Sequence, residues 1–177
     1  MIQYDDFIQI IFLLVGFILM RMQNKLLITV FIFIYFKITA LSFNIYFGLV
    51  VGLLLSPIVL NLTYYIVFKK WLFQRFVIKK SKIDLWTLFN NALIEEIIWR
   101  DLILVFLIIN TNNIFIIFLN VLLLTYFFVL THKVKFGKKM LEMLLFSLII
   151  SISSLVAFGL HYGLHIGRNI YIAKTLD

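Results

Sequence analysis

The chain contains no cysteine, a single proline and only eight acidic residues among 177. Without cysteine there can be no disulfide, no thiolate metal site and no cysteine nucleophile, while the compartment is left open. Charged residues make up 14% of the sequence against 64% hydrophobic, with 20 phenylalanines and a mean hydropathy of +1.10. That is too little polar surface to coat a soluble globule. The composition implies an all-α fold, a polytopic transmembrane helical bundle. A secretory leader is not expected. The first apolar run, residues 7–20, has Asp5 and Asp6 before it and Arg21 and Lys25 after it, the reverse of a signal's charge order, and no small-residue cleavage site follows.

What is present is a succession of apolar runs, at 7–20, 26–41, 43–68, 83–109, 113–131, 140–158 and 158–173. A helix needs about 20 residues to cross the hydrocarbon core, so the first and last runs are short and the third is long enough to tilt. The net charge of +8 would suggest nucleic acid if it were clustered, but it sits in loops between runs, so no nucleic-acid partner is expected. The segment KKWLFQRFVIKKSK (69–82) holds six Lys/Arg and KVKFGKK (133–139) holds four. Both belong in the cytoplasm by the positive-inside rule, and the uncharged NTNN between them, residues 110–113, suits the opposite side. Counting from these loops gives about seven spans, with the N-terminus out and the tail, carrying Arg168 and Lys174, in. Segment 69–82 alternates apolar and basic clusters. It reads equally as a short helix lying on anionic lipid or as a plain stop-transfer loop. No internal repeat appears.

Against this background the stretch IEEIIWRD, residues 94–101, is anomalous, because each ionisable side chain in lipid costs a few kcal/mol, about 3 on insertion scales. Glu96 and Arg100 are four apart with the acid first, so they can pair on a helix. Glu95 lies about 100° round the helix and lacks that partner. Four residues on from it is Trp99, whose ring would wall its pocket. A carboxylate in a poorly solvated pocket moves toward the range useful to a general base. A structural ion pair between helices accounts for Glu96 and Arg100 equally well, but the second glutamate is harder to explain as glue.

All three histidines also lie in or beside apolar runs. His132 ends the fifth run in FVLTH. His161 and His165 are four apart, as are His165 and Asn169, so these three share one helix face. A single membrane histidine is commonly a hydrogen bond between helices; three together, with an asparagine on the stripe, point to a site. His132 adjoins a basic loop, Asn169 nears the tail, and Glu95 lies about 18 Å into its run at helical rise. All are expected to meet in the cytoplasmic half.

The ordered set EExxxR (Glu95, Glu96, Arg100), FxxxH (Phe128, His132) and HxxxN (His165, Asn169) resembles the motifs of the CAAX-protease and bacteriocin-processing (CPBP, or Abi) family of intramembrane endopeptidases. The resemblance covers about residues 83–173. It implies hydrolysis of a peptide bond at the membrane, with Glu95 as base assisted by His132, and with His165 and Asn169 stabilising the oxyanion. Glu96 and Arg100 would hold the helix and tune Glu95. By the same token, residues 1–82 would be N-terminal helices and a basic loop, and 83–177 the catalytic helical core. The sequence departs from the pattern at Asp101, where the family usually has glycine, and at Val129, Leu130 and Thr131, where small residues are common. His161 competes with His165 for the third motif.

No cofactor is required by this chemistry. A zinc site remains the alternative, with Glu95, His132, His161 and His165 as ligands, although the zincin motif HExxH is absent. The expected partners are the lipid bilayer and a membrane-associated peptide or protein substrate, and the expected location is a bacterial cell membrane. A non-catalytic interaction protein on the same scaffold, such as a bacteriocin-immunity protein, is the alternative function. A proton- or ion-coupled carrier would want half-helices or an inverted repeat, and neither is found.

Overall fold

The computed structural model describes residues 6–38, 43–72, 84–108, 111–156 and 159–175. These form α1 (Asp6–Met22), α2 (Lys25–Ile38), α3 (Phe43–Phe68), α4 (Leu85–Glu96), a π-helical segment (Ile97–Leu104), α5 (Val105–Ile108), α6 (Ile114–Thr131), α7 (Lys138–Val156) and α8 (Leu160–Thr175). There is no strand among the described residues. Since α4, the π segment and α5 run on without a break, the seven apolar runs correspond to seven helical rods. Most of the expected interfacial helix, from residue 73 onward, lies outside the described residues.

The helix ends follow local chemistry. Asn24 accepts from the backbone N–H groups of Leu26 and Leu27 at 3.1 and 3.2 Å, Asp84 from Thr87 at 3.1 Å, and Asn113 from Phe115 at 2.9 Å, which caps the starts of α2, α4 and α6. Left-handed residues close the other ends: Gln23 after α1, Lys69 after α3 and Lys133 after α6, with φ of 52°, 56° and 51°.

Among the described residues three helices are long and apolar enough to cross a membrane: Ile45–Phe68 with 24 residues, Ile114–Thr131 with 18 and Lys138–Val156 with 19. Ile8–Met22 is a shorter apolar helix. Their outer faces carry exposed Leu54, Ile114 and Phe115, the surface expected of a helix that meets lipid rather than water.

Two interfaces set the position of α8. Toward α3 the backbones touch. A Cβ added at Gly163 would fall 2.1 Å from the Leu49 carbonyl oxygen and 2.8 Å from the Gly52 Cα, and one at Gly52 would fall 2.3 Å from the Leu160 carbonyl oxygen. Gly159, Gly163 and Gly167 recur every four residues along this face, the small-residue spacing that lets membrane helices approach closely. Residues 161 and 165 lie about 200° round the helix from 163 and 167, so the histidines point away from α3. They enter the larger buried core, where Tyr35 of α2, Ile94 of α4, Ile97, Ile98 and Leu102 of the π segment, Phe128 of α6 and Tyr162 of α8 pack together.

Candidate active site

Glu95 lies one residue before Glu96, the last residue of α4, and the two carboxylates have separate surroundings. The Glu96 side chain is fully buried. Its Oε1 accepts from Arg100 Nη1 at 3.0 Å and from His165 Nδ1 at 2.6 Å. Arg100, also fully buried, donates through Nη2 to Ser147 Oγ of α7 at 2.8 Å and lies over the Phe128 ring, with Cζ 4.0 Å from its centroid. The predicted four-residue pairing therefore holds. A guanidinium brought out of water is stabilised here by a carboxylate, a hydroxyl and an aromatic face together.

The Glu95 side chain is 20% exposed, and among the described residues its ion pairs are with two imidazoles. His132 Nε2 lies 3.4 Å and His165 Nε2 3.6 Å from the same atom, Glu95 Oε2. The opposite ring nitrogens settle the tautomers. His132 Nδ1 is 2.9 Å from the Phe128 carbonyl oxygen, which can only accept, so Nδ1 carries the proton. His165 Nδ1 donates to Glu96. Each ring thus spends Nδ1 on a protein acceptor and turns Nε2 toward Glu95, so a proton held at Nε2 or Oε2 is shared among these three groups. Phe128 spaces them, its ring 4.5 Å from that of His132 and 5.9 Å from that of His165.

The other expected residues fall differently. The Asn169 side chain is half-buried and makes no hydrogen bond to the described residues. Trp99 is buried edge-on to Phe17 and Phe128 at 6.0 Å each. It lines an apolar groove of about 540 Å³ between the π segment, α5 and α6, which also includes Leu124 and Thr131. His161 is drawn away from Glu95 altogether. Its Nε2 lies 3.2 Å from Asp101 Oδ1, while Asp101 Oδ2 accepts from the Tyr162 hydroxyl and, at 3.1 Å, from the Tyr35 hydroxyl. Of the two α8 histidines it is His165, not His161, that reaches Glu95.

This division also bears on zinc. Of the four residues weighed as ligands, His161 faces Asp101 at 3.2 Å rather than Glu95. Among the described residues no group of three or more His, Asp or Glu side chains is arranged to hold a metal.

Several residues escaped the sequence reading. Ser147 completes the Arg100 site beside the motif residue Phe128, and Tyr35 closes the Asp101 site. Arg168, counted above as a charge of the tail, is instead largely buried, donating to Glu142 Oε2 at 3.1 Å, while Glu142 Oε1 accepts from Thr63 at 3.3 Å. The signal was available, since Glu142 and Arg168 are ionisable residues inside apolar runs, the same criterion that marked Glu95. Arg168 also lines, with His165, Ser147 and Phe128, a cavity of about 10 Å³, the size of one water molecule. Compared with protein-family models, curated proteins and solved structures, the chain matches none.

Proposed function

We propose that the protein is an intramembrane endopeptidase of the CPBP kind, hydrolysing a peptide bond in a membrane-associated peptide or protein. One observation carries the reading: two histidines from different helices aim Nε2 at one partly exposed carboxylate oxygen, while their opposite nitrogens are tied to a carbonyl and to a buried glutamate. Glu95, assisted by His132, takes a proton from water. The water oxygen forms a bond to the peptide carbonyl carbon, and the carbonyl oxygen becomes an oxyanion. The C–N bond then breaks, and the proton passes to the departing amine. His165 donates to the oxyanion through Nε2 when that nitrogen carries the proton shared in the cluster. Asn169, one turn on and uncommitted, is the second donor. Loss of such a donor typically costs a factor of about 10² to 10³ in rate.

We further read the rods as about seven spans with the N-terminus out and the C-terminus in, most fittingly in a bacterial membrane. The contact of Lys25 with Asp84 supports the sidedness, since it brings the start of α2 and the residue after the basic segment to one end of the bundle.

A second reading, a non-catalytic interaction protein such as a bacteriocin-immunity protein, is favoured by the cavity beside His165, whose volume of about 10 Å³ takes a water but no peptide. The deciding experiment is cleavage of a panel of membrane-anchored peptides by purified protein in liposomes, wild type against Glu95→Gln and His165→Ala, with and without chelator. Cleavage lost in both variants and kept with chelator supports glutamate-based hydrolysis. Chelator-sensitive cleavage would require a metal. No cleavage by folded wild type, with a cellular phenotype that Glu95→Gln leaves intact, would establish the binding reading.

A further inference from the structure

Two carboxylate–imidazole contacts connect the π segment and its approach to α8: Glu96 with His165, and Asp101 with His161. They run antiparallel, like rungs. On α8 the rungs are four residues apart, one α-helical turn. On the other helix they are five apart, and five residues of α-helix would carry Asp101 about 140° past the Glu96 face. A π helix bonds i to i+5 and so lays each residue near the one five before it. The eight-residue π segment is therefore what sets both acids toward α8, and Asp101 is the residue that closes the second rung.

That rung is unusually committed for a residue with no place in the hydrolytic chemistry. Asp101, Tyr35, Tyr162 and His161 are 6%, 2%, 0% and 0% exposed, so no substrate reaches them. They come from three elements, α2, the π segment and α8, and converge on the two oxygens of one carboxylate. Arg100 precedes Asp101 directly, and His165 follows His161 by one turn. Whatever register the second rung takes is thus handed to the first, where His165 stands between Glu96 and Glu95.

We propose that Asp101 and His161, with Tyr35 and Tyr162, are positioning residues that hold the π register and thereby fix the place and hydrogen bonding of His165. The kinetic consequence rests on the hydrolytic reading: Asp101→Asn should lower kcat about 10- to 100-fold, the scale of a misplacement near 1 Å, at unchanged KM. The positioning itself is testable without any substrate. With only three histidines in the chain, protein labelled with ¹⁵N-histidine gives three ring systems in detergent micelles, assignable by His132→Gln and His161→Gln. Glu96→Gln serves as the control that strikes His165 directly.

The expected result is that Asp101→Asn and Tyr162→Phe each shift the ring nitrogens of His165 as well as those of His161, with helicity unchanged. If only His161 shifts, and melting temperature alone falls, the second rung is merely structural and the proposal fails. Should Asp101→Asn not fold, Tyr35→Phe and Tyr162→Phe, which each remove one hydroxyl, decide by the same criterion. Failure to find peptide cleavage would overturn the hydrolytic reading and leave this outcome readable.

Discussion

Along α8, one face carries Gly159, Gly163 and Gly167 against α3, and the other carries His161 and His165 against the π segment. The first face holds by lacking side chains, so that backbone meets backbone and dispersion acts over the shortest possible distance. The second holds by charged and polar pairs that are stable in a dry interior only while every partner is present. The two faces differ in what they tolerate. Contact between backbones cannot be relieved by turning a side chain, whereas a carboxylate–imidazole pair can gain, lose or pass a proton without moving its atoms far. Placing the reactive groups on the second face, and bracing the helix with the first, lets the site change protonation state on a fixed frame.

The largest effect is expected from breaking the polar face. Arg100→Met would leave buried Glu96 with the His165 imidazole alone of its two hydrogen-bond partners among the described residues, and removal of one member of a buried pair costs about 3 to 5 kcal/mol. Thermal unfolding in detergent should show the loss, and Glu96→Gln added to Arg100→Met should recover much of it. A double variant as unstable as the single would mean that the guanidinium acts through Phe128 and Ser147 rather than through its charge. Next comes the apolar face. Gly163→Ala sets a methyl group against the backbone of Leu49, Gly52 and Leu53, and such overpacking costs about 1 to 3 kcal/mol. An unchanged melting temperature would show that α3 moves aside and that the brace is softer than described.

These two faces were unequally legible in the sequence. Ionisable residues inside apolar runs are rare enough to be conspicuous, so Glu95, Glu96, Arg100 and the histidines could be found, and the four-residue spacing of Glu96 and Arg100 carried over directly into contact. The glycine stripe facing α3 is equally regular, but small residues at that spacing mark a close helix contact without naming the partner, which only the packing against Ile45, Leu49 and Gly52 supplies. The seven runs matched seven rods, since hydrophobic length is a strong signal. The π segment left none: its register depends on partners on α2 and α8 that lie 66 and 61 residues from Asp101 in sequence. For that reason Asp101 read as an oddity beside Arg100, and His161 as a rival of His165, until the second rung joined them to each other.

The adjacent glutamates give a sharper comparison at smaller cost. Glu95→Gln keeps the shape of a side chain that is 20% exposed and has no guanidinium partner, so stability should change by less than about 1 kcal/mol. Under the proposed function peptide cleavage, in contrast, should vanish, because an amide cannot take the proton from water. Glu96→Gln should do the reverse in part, lowering stability through Arg100 and changing rate only through the position of His165. If both variants lose activity and stability in equal measure, the division of labour between neighbouring carboxylates is wrong.

The smallest effect belongs to the contact that most resembles Glu96–Arg100 on paper. Lys25 hydrogen-bonds Asp84, but their side chains are 58% and 48% exposed. Water screens the attraction, both long side chains lose freedom in meeting, and the net contribution of such pairs is slight. Asp84 has a second function in capping α4 through Thr87, which Lys25→Ala leaves intact. The variant should therefore melt close to wild type, and added salt should erase even the remaining difference. A large loss on Lys25→Ala, insensitive to salt, would show that this end of the bundle is as dry as the site itself. The distinction between a buried frame and a solvated rim would then have to be redrawn.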